Sequence, residues 1–309
     1  MAGKNALTAP KKRTKEILPA LRDVTDSKKS RAWVEIDLSA LCRNAGALKK
    51  LLPDKCEIMA VLKANAYGHG DIACAKALSS AGVNVFAVAA LDEGVRLRQN
   101  GISAQIVVLG YTHPSEAVSL SEYSLIQTVT DYEYAKEINN TKEKIKVHIK
   151  LDTDMHRLGV NSENISDIER IFGCKNLTVE GMYSHLSSSD SLFDNDVLYT
   201  KQQISAFFNT AAILASKGYN TGKLHLQASY GILNYPDLPC HYARAGIALY
   251  GVLSNSSKTR FDADLRPVLS LKARVSQVKH IKAGDSVGYS RDYKAKVDMI
   301  SASVSIGYA

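Results

Sequence analysis

The sequence predicts an α/β protein: a (β/α)8 TIM barrel over residues 32–264, then the start of a β-rich domain from residue 265. Three observations lead there. Short β-branched runs alternate with amphipathic stretches from Ala32 to about Leu265, the pattern of repeated β-then-α units. Many of the runs are apolar on both faces, as parallel strands covered by helices are. After Leu265 the helical pattern stops, and residues 268–309 read as strands and turns. A doubly wound sheet is the structural alternative, but no GxGxxG follows the first strand.

In order, strands are expected at Trp33–Asp37, Ile58–Lys63, Val85–Ala90, Gln105–Leu109, Leu125–Thr128, Val147–Asp152, Val179–His185, Leu224–Ser229 and, less regularly, Ala245–Tyr250. Helical patterns fall between them at Ser39–Leu52, Ile72–Ala81, Asp92–Asn100, Ser115–Glu122, Asp131–Asn139, Ser162–Phe172 and Val197–Lys217. Ser39 and Ser162 are expected N-caps. Beyond the barrel, Val268–Val278 and Ile300–Ile306 read as strands around the turn Gly284-Asp285. This segment is too short to close on itself and stops within an apolar run, so the chain is expected to continue past Ala309.

The 309 residues suffice for one large core or two domains, and 45% hydrophobic with 23% charged residues is ordinary for a globular protein. No apolar run approaches the roughly 20 residues that span a bilayer, and no signal peptide opens the chain. The five cysteines are odd in number and form no CxxC pair. That argues against a disulfide framework or a zinc site and for a reducing, cytoplasmic setting. The net charge of +8 is uneven: residues 1–31 hold nine Lys or Arg against three Asp or Glu. The body of the fold therefore has little excess charge for nucleic acid. Residues 1–31 read as a flexible basic arm, either a solvated tail or a juxtamembrane linker. The second reading would place a membrane domain before residue 1.

The strongest chemical signal is Ile58–Gly70. An apolar strand delivers Lys63 to its C-terminal end, the end where α/β barrels build active sites. Tyr67 and the glycines Gly68 and Gly70 follow. A desolvated lysine loses its proton more readily and becomes a nucleophile. A lysine that snorkels to the barrel rim fits the same pattern.

At this point the chain resembles the alanine racemase family. The run Lys63-Ala64-Asn65-Ala66-Tyr67-Gly68-His69-Gly70 is similar to the family's cofactor-lysine motif, and Ala32–Leu38 is similar to its first strand. The similarity covers residues 32–309. It implies a barrel that binds pyridoxal 5'-phosphate (PLP), a β-domain and a homodimer. Lys63 would then hold the cofactor as a Schiff base.

A second match, Lys150–Gly159, implies that Arg157 lies near the substrate carboxylate. Lys150, seven residues earlier, matches a family lysine that is often carbamylated. A carbamate is an anion and would orient Arg157 instead of repelling it. Asp154 stands where the family usually has glycine, which adds a carboxylate beside this pair. His185 and His225 match positions near the cofactor ring. Tyr67, Ser229, Gly246 and Ile247 match the phosphate-binding positions, and Arg244 matches the arginine facing the pyridine nitrogen. No HExxH or His/Cys cluster is present, so no metal is expected.

The last match, Val287-Gly288-Tyr289-Ser290 with Ile306-Gly307-Tyr308-Ala309, implies that Tyr289 is a second catalytic base entering the partner's active site. The implied reaction is racemisation of a small amino acid, L-alanine or L-serine, supplying D-amino acids for the cell wall. Membrane-bound racemases of the vancomycin-resistance type have a similar catalytic domain and act on serine as well as alanine. Two alternatives keep the barrel. A non-catalytic PLP-homeostasis protein resembles the barrel alone, without the Tyr289 segment. A fold-related decarboxylase would carry a substrate-side cysteine, and residues 266–309 contain none.

Overall fold

The computed structural model describes residues 30–254 and 258–307. The expected basic arm therefore lies outside the described residues, save Ser30 and Arg31. The chain forms two compact units: Glu35–Ser270, and a second made of residues up to Val34 and from Leu271 onward.

The larger unit is a closed parallel barrel. In chain order the strands are β1 (Ala32–Ile36), β2 (Glu57–Val61), β3 (Val85–Val88), β4 (Gln105–Val108), β5 (Ile126–Val129), β6 (Ile145–Asp152), β7 (Val160–Asn161), β8 (Leu177–Tyr183), β9 (Lys223–His225) and β10 (Tyr242–Ala245). β2 to β6 pair successively, β6 pairs with β8, and β8 with β9. β9 pairs with β10, which returns to β2 and closes eight parallel strands. β7 is a two-residue addition beside β6. β1 stands outside the barrel and pairs with β11 (Leu269–Ala273).

Strand alternation sorts the residues between two cores. Met59, Val61, Val85, Ala87, Val107, Ile126 and Tyr242 pack inside the barrel. Their neighbours Ile58, Ala60, Phe86, Val88, Ile106 and Val108 join the larger core under the helices. The interior is mostly apolar on the β2–β5 side, with Thr128 of β5 as a buried polar exception. On the opposite side it carries His148 and Lys150 of β6, Tyr183 of β8, His225 of β9 and Arg244 of β10, all buried. The series Met59, Val61 continues to Lys63, just past the end of β2.

The helices follow the expected spans with corrected ends. Leu38–Leu51 buries Leu41, Ala45 and Leu48 on one face. Its N-cap is Asp37, not Ser39: Asp37 is extended, and its carboxylate accepts from Ala40 N–H at 2.9 Å. Ser162 is not a cap either. Its N–H bonds Asp152 O at 3.0 Å, prolonging the β6–β7 pairing, so helix Ile165–Phe172 begins later with Asn164 as its cap.

Two strands end or begin earlier than expected. The predicted Leu224–Ser229 stops at His225, and Ser229–Asn234 is a short helix. The Arg244 side chain donates to the carbonyls of His225 and Leu226, occupying acceptors at the strand's exit. The predicted Ala245–Tyr250 is instead β10 at Tyr242–Ala245, followed by a 3-10 turn at Ile247–Tyr250.

In the second unit β12 (Val275–Ile281) runs antiparallel to β15 (Met299–Val304). The predicted single strand Val268–Val278 is divided at Arg274, where β11 and β12 take different partners. β13 (Ser286–Val287) and β14 (Tyr293–Lys294) form a hairpin whose connection carries Tyr289.

Candidate active site

After β2 the chain makes a left-handed turn. Leu62 N–H still bonds Ala87 O at 2.8 Å. Then Ala64, Asn65, Ala66 and Tyr67 all take φ of +53° to +54°. This conformation costs L-residues about 1–2 kcal/mol each, so four in succession need local compensation. Ala66 N–H bonds Leu62 O at 2.8 Å, and Gly68 N–H bonds Ala64 O at 3.1 Å. The Tyr67 ring lies 5.1 Å from the ring of Tyr250, whose hydroxyl donates to Val61 O at 2.8 Å. The turn brings Lys63 and Tyr67 to one cavity, with Lys63 Nζ 5.7 Å from the Tyr67 ring centre.

The cavity holds about 450 Å³. Of the residues singled out in the sequence, Lys63, Tyr67, Lys150, Arg157, His185, Ser229, Arg244, Gly246 and Ile247 all line it. His225 stands behind Arg244. Tyr289 belongs to the other unit, on a turn where it is 86% exposed.

Arg244 organises the polar wall. Its Nη1 donates to His225 Nδ1 at 2.8 Å, and its Nη2 to Ser184 O at 2.7 Å and His185 Nδ1 at 3.1 Å. A guanidinium only donates, so both histidines accept at Nδ1 and carry their proton on Nε2. His225 Nε2 therefore donates to His148 Nδ1, 2.9 Å away. Burial, reinforced by the charge of Arg244, holds all three imidazoles neutral, with His148 and His185 lowered to about 3. Burial also pulls Arg244 down to about 10, which leaves it charged at neutral pH. The Tyr183 ring stacks on His225 at 4.6 Å, and the Tyr183 hydroxyl shares a hydrogen bond with Thr128 Oγ1 at 3.0 Å. Arg244 Nε has no hydrogen-bond partner among the described residues, although its side chain is buried in the cavity wall.

Lys150 and Arg157 put two cations on one wall. Burial, followed by the charges of Arg157 and Arg244, lowers the Lys150 ammonium to about 8. Arg157 comes from the loop after β6, shaped by Asp152 Oδ1, which accepts from Met155 and His156 N–H at 3.0 Å each. Asp154 in this loop has φ +72°, a conformation that favours glycine and accounts for the family's usual residue there. Its carboxylate lies 3.9 Å from His156 Nε2 and makes no ion pair with Lys150 or Arg157.

A third cluster suits a phosphate. Ser229 Oγ accepts from the N–H groups of Gly246 and Ala248 at 3.2 Å each. A Cβ placed on Gly246 would lie 3.1 Å from Tyr67 Oη and 3.6 Å from Ser229 Oγ. Glycine thus keeps open the space on which two hydroxyls converge. Burial raises the Tyr67 phenol, which keeps it a neutral donor. By their chemistry these residues fit PLP: Ser229 and Tyr67 would hold a phosphate, Arg244 would donate to a ring nitrogen and the Lys63 amine would take an aldehyde.

His148 and Tyr183 were not singled out in the sequence, although the i, i+2 spacing of His148 and Lys150 on β6 places both on the interior face. Glu93 left no comparable signal.

Comparison with known proteins places the chain in a family. The alanine racemase N-terminal domain family matches residues 36–254, and the corresponding C-terminal domain family matches residues 268–309. An amino-acid racemase of Enterococcus faecalis is 43% identical over 280 residues, 90% of this chain and 39% of that protein. A serine/alanine racemase of Enterococcus gallinarum is 40% identical over 90% of this chain and 40% of that protein. The chain therefore spans about 40% of the length of these relatives. An alanine racemase of Carboxydothermus hydrogenoformans is 38% identical, over 90% of this chain and 75% of that protein. Among solved structures, the alanine racemase of Clostridium difficile 630 superposes with a TM-score of 0.81 at 32% identity, covering 90% of this chain and 74% of that one. A histidine racemase of Leuconostoc mesenteroides gives 0.79 at 30% identity, covering 90% and 75%. The barrel and these matches together make the chain a member of the alanine racemase family.

Proposed function

We propose that the protein racemises a small amino acid, alanine or serine, with PLP as cofactor, and so provides D-amino acids for cell-wall precursors. The observation that carries this reading is the convergence of Lys63, Tyr67, Ser229, Gly246 and Arg244 on one barrel cavity. PLP, when bound, supplies an electron-withdrawing ring that acidifies the substrate's α-hydrogen.

The chain's own residues do the rest. Lys63 holds the cofactor and then moves a proton at the α-carbon through Nζ, serving the D-enantiomer. Tyr289 of the partner subunit moves a proton on the opposite face, serving the L-enantiomer. The Arg157 cation is the charged group that would neighbour that Tyr289 hydroxyl. Arg157 also binds the substrate carboxylate. A carbamate on Lys150 would add an anion that orients Arg157. His185 and His225 buttress Arg244. Arg244 keeps its proton, so it would meet the cofactor's ring nitrogen as a hydrogen-bond donor that gives up no proton.

The match of residues 268–309 to the racemase C-terminal domain favours catalysis over a barrel-only homeostasis protein. The Enterococcus relatives, named amino-acid racemase and serine/alanine racemase, support serine beside alanine. The test is chiral analysis of full-length protein with PLP and a panel of L-alanine, L-serine and L-histidine. D-alanine or D-serine is expected. No D-product from any of the three would reject the reading.

A further inference from the structure

The amide that follows Lys63 has a side-chain partner. Ala64 N–H donates to Glu93 Oε1 at 2.6 Å. The other oxygen of the same carboxylate accepts from Ala89 N–H at 2.7 Å and Ala90 N–H at 3.3 Å. Glu93 stands in the first turn of helix Leu91–Gln99. One half-buried carboxylate thus ties the exit of β2 to the exit of β3, where Lys63 and Ala89 both line the cavity. One helical turn further on, Arg96 donates to Asp71 Oδ2 through Nη2 at 2.5 Å and Nε at 3.0 Å. Asp71 N–H in turn bonds Asn65 Oδ1 at 3.0 Å. The left-handed turn is therefore gripped at Ala64 and at Asn65 from a single helix. Such a turn persists only where its surroundings over-determine it, and carboxylate-to-amide bonds are among the stronger ones available.

We infer that Glu93 is a positioning residue, fixing the direction in which Lys63 leaves the end of β2 and hence the aim of its amine into the cavity. The inference rests on the proposed role of Lys63. A carboxamide at position 93 keeps only one accepting oxygen and turns an NH2 toward a backbone N–H. An aspartate keeps the negative charge in the helix's first turn but is one methylene too short to span both strand exits.

The test uses the full-length protein freed of PLP. On adding PLP, covalent capture by Lys63 is followed by visible absorbance, and thermal unfolding of the PLP-free protein is measured alongside. Glu93→Gln and Glu93→Asp are expected to capture PLP about tenfold more slowly or worse. They are also expected to lower kcat more than they change KM and to speed amide exchange at Ala64. Wild-type capture and wild-type Ala64 exchange in either folded variant would overturn the inference. If neither variant folds, the wild-type protein decides: the Ala64 amide must be protected from exchange, and free exchange there refutes the contact. Lys63→Ala separates the two ideas. Absorbance that still develops in that variant removes the reading of Lys63 itself. If it does not develop while the Glu93 variants match wild type, only the positioning role falls.

Discussion

At the residue scale, the site sets the buried Lys150 beside the exposed cation Arg157, and burial disfavours the Lys150 charge. The consequence is chemical. With its pKa lowered to about 8, Lys150 gains a growing neutral fraction as pH rises through that value. Only a neutral amine can add carbon dioxide, because the nitrogen lone pair forms the new bond and a proton then leaves. In protein equilibrated with 13C-bicarbonate, a carbamate resonance is expected to grow as pH rises through about 8 and to be missing in Lys150→Arg. A spectrum without carbamate at every pH would remove that role and leave Arg157 unpaired. The sequence made Lys150 and Arg157 visible through their shared motif. It did not expose Glu93, because the feature that matters is a carboxylate meeting backbone amides from two strands, and amides carry no sequence signature.

At the element scale, the barrel's alternation decides which side chains can meet. Period two from Met59 and Val61 brings Lys63, itself exposed, to the cavity just past the end of β2, and period two along β6 brings His148 and Lys150 to the interior. Strand ends were less legible. Arg244 satisfies carbonyls that a longer β9 would have paired, and that exchange depends on a residue distant in sequence. Gly181 is a further case. It lies opposite His148 in the β6–β8 register, where an added Cβ would come within 2.5 Å of Lys223 O and 2.7 Å of His148 Nε2. Gly181→Ala must displace β9 or the imidazole. It is expected to destabilise the fold by about 1–3 kcal/mol in urea unfolding and to weaken PLP binding through the His148–His225–Arg244 chain. An unchanged midpoint would mean that the barrel yields there without cost.

At the scale of the whole molecule, the fold class was readable because eight parallel strands must be buried on both faces, and that leaves a long apolar periodicity. The expected homodimer rests on the resemblance alone. Under the proposed function, each active site combines Lys63 of one subunit with Tyr289 of the other. Two individually inactive variants, Lys63→Ala and Tyr289→Phe, should then complement when unfolded and refolded together. Random pairing makes half the dimers mixed, each with one intact site, so about a quarter of wild-type activity is expected. Recovery of no activity would argue that Lys63 and Tyr289 act within one subunit.

The most direct measurement concerns Lys63. Full-length protein incubated with PLP is reduced with borohydride, digested and analysed by mass spectrometry, beside Lys63→Ala. The expected result is a reduced PLP adduct on the peptide containing Lys63, with visible absorbance and D-amino-acid formation in the wild type and neither in the variant. An adduct on another lysine, or undiminished racemisation by Lys63→Ala, would contradict the assignment of this barrel as a PLP racemase built on Lys63.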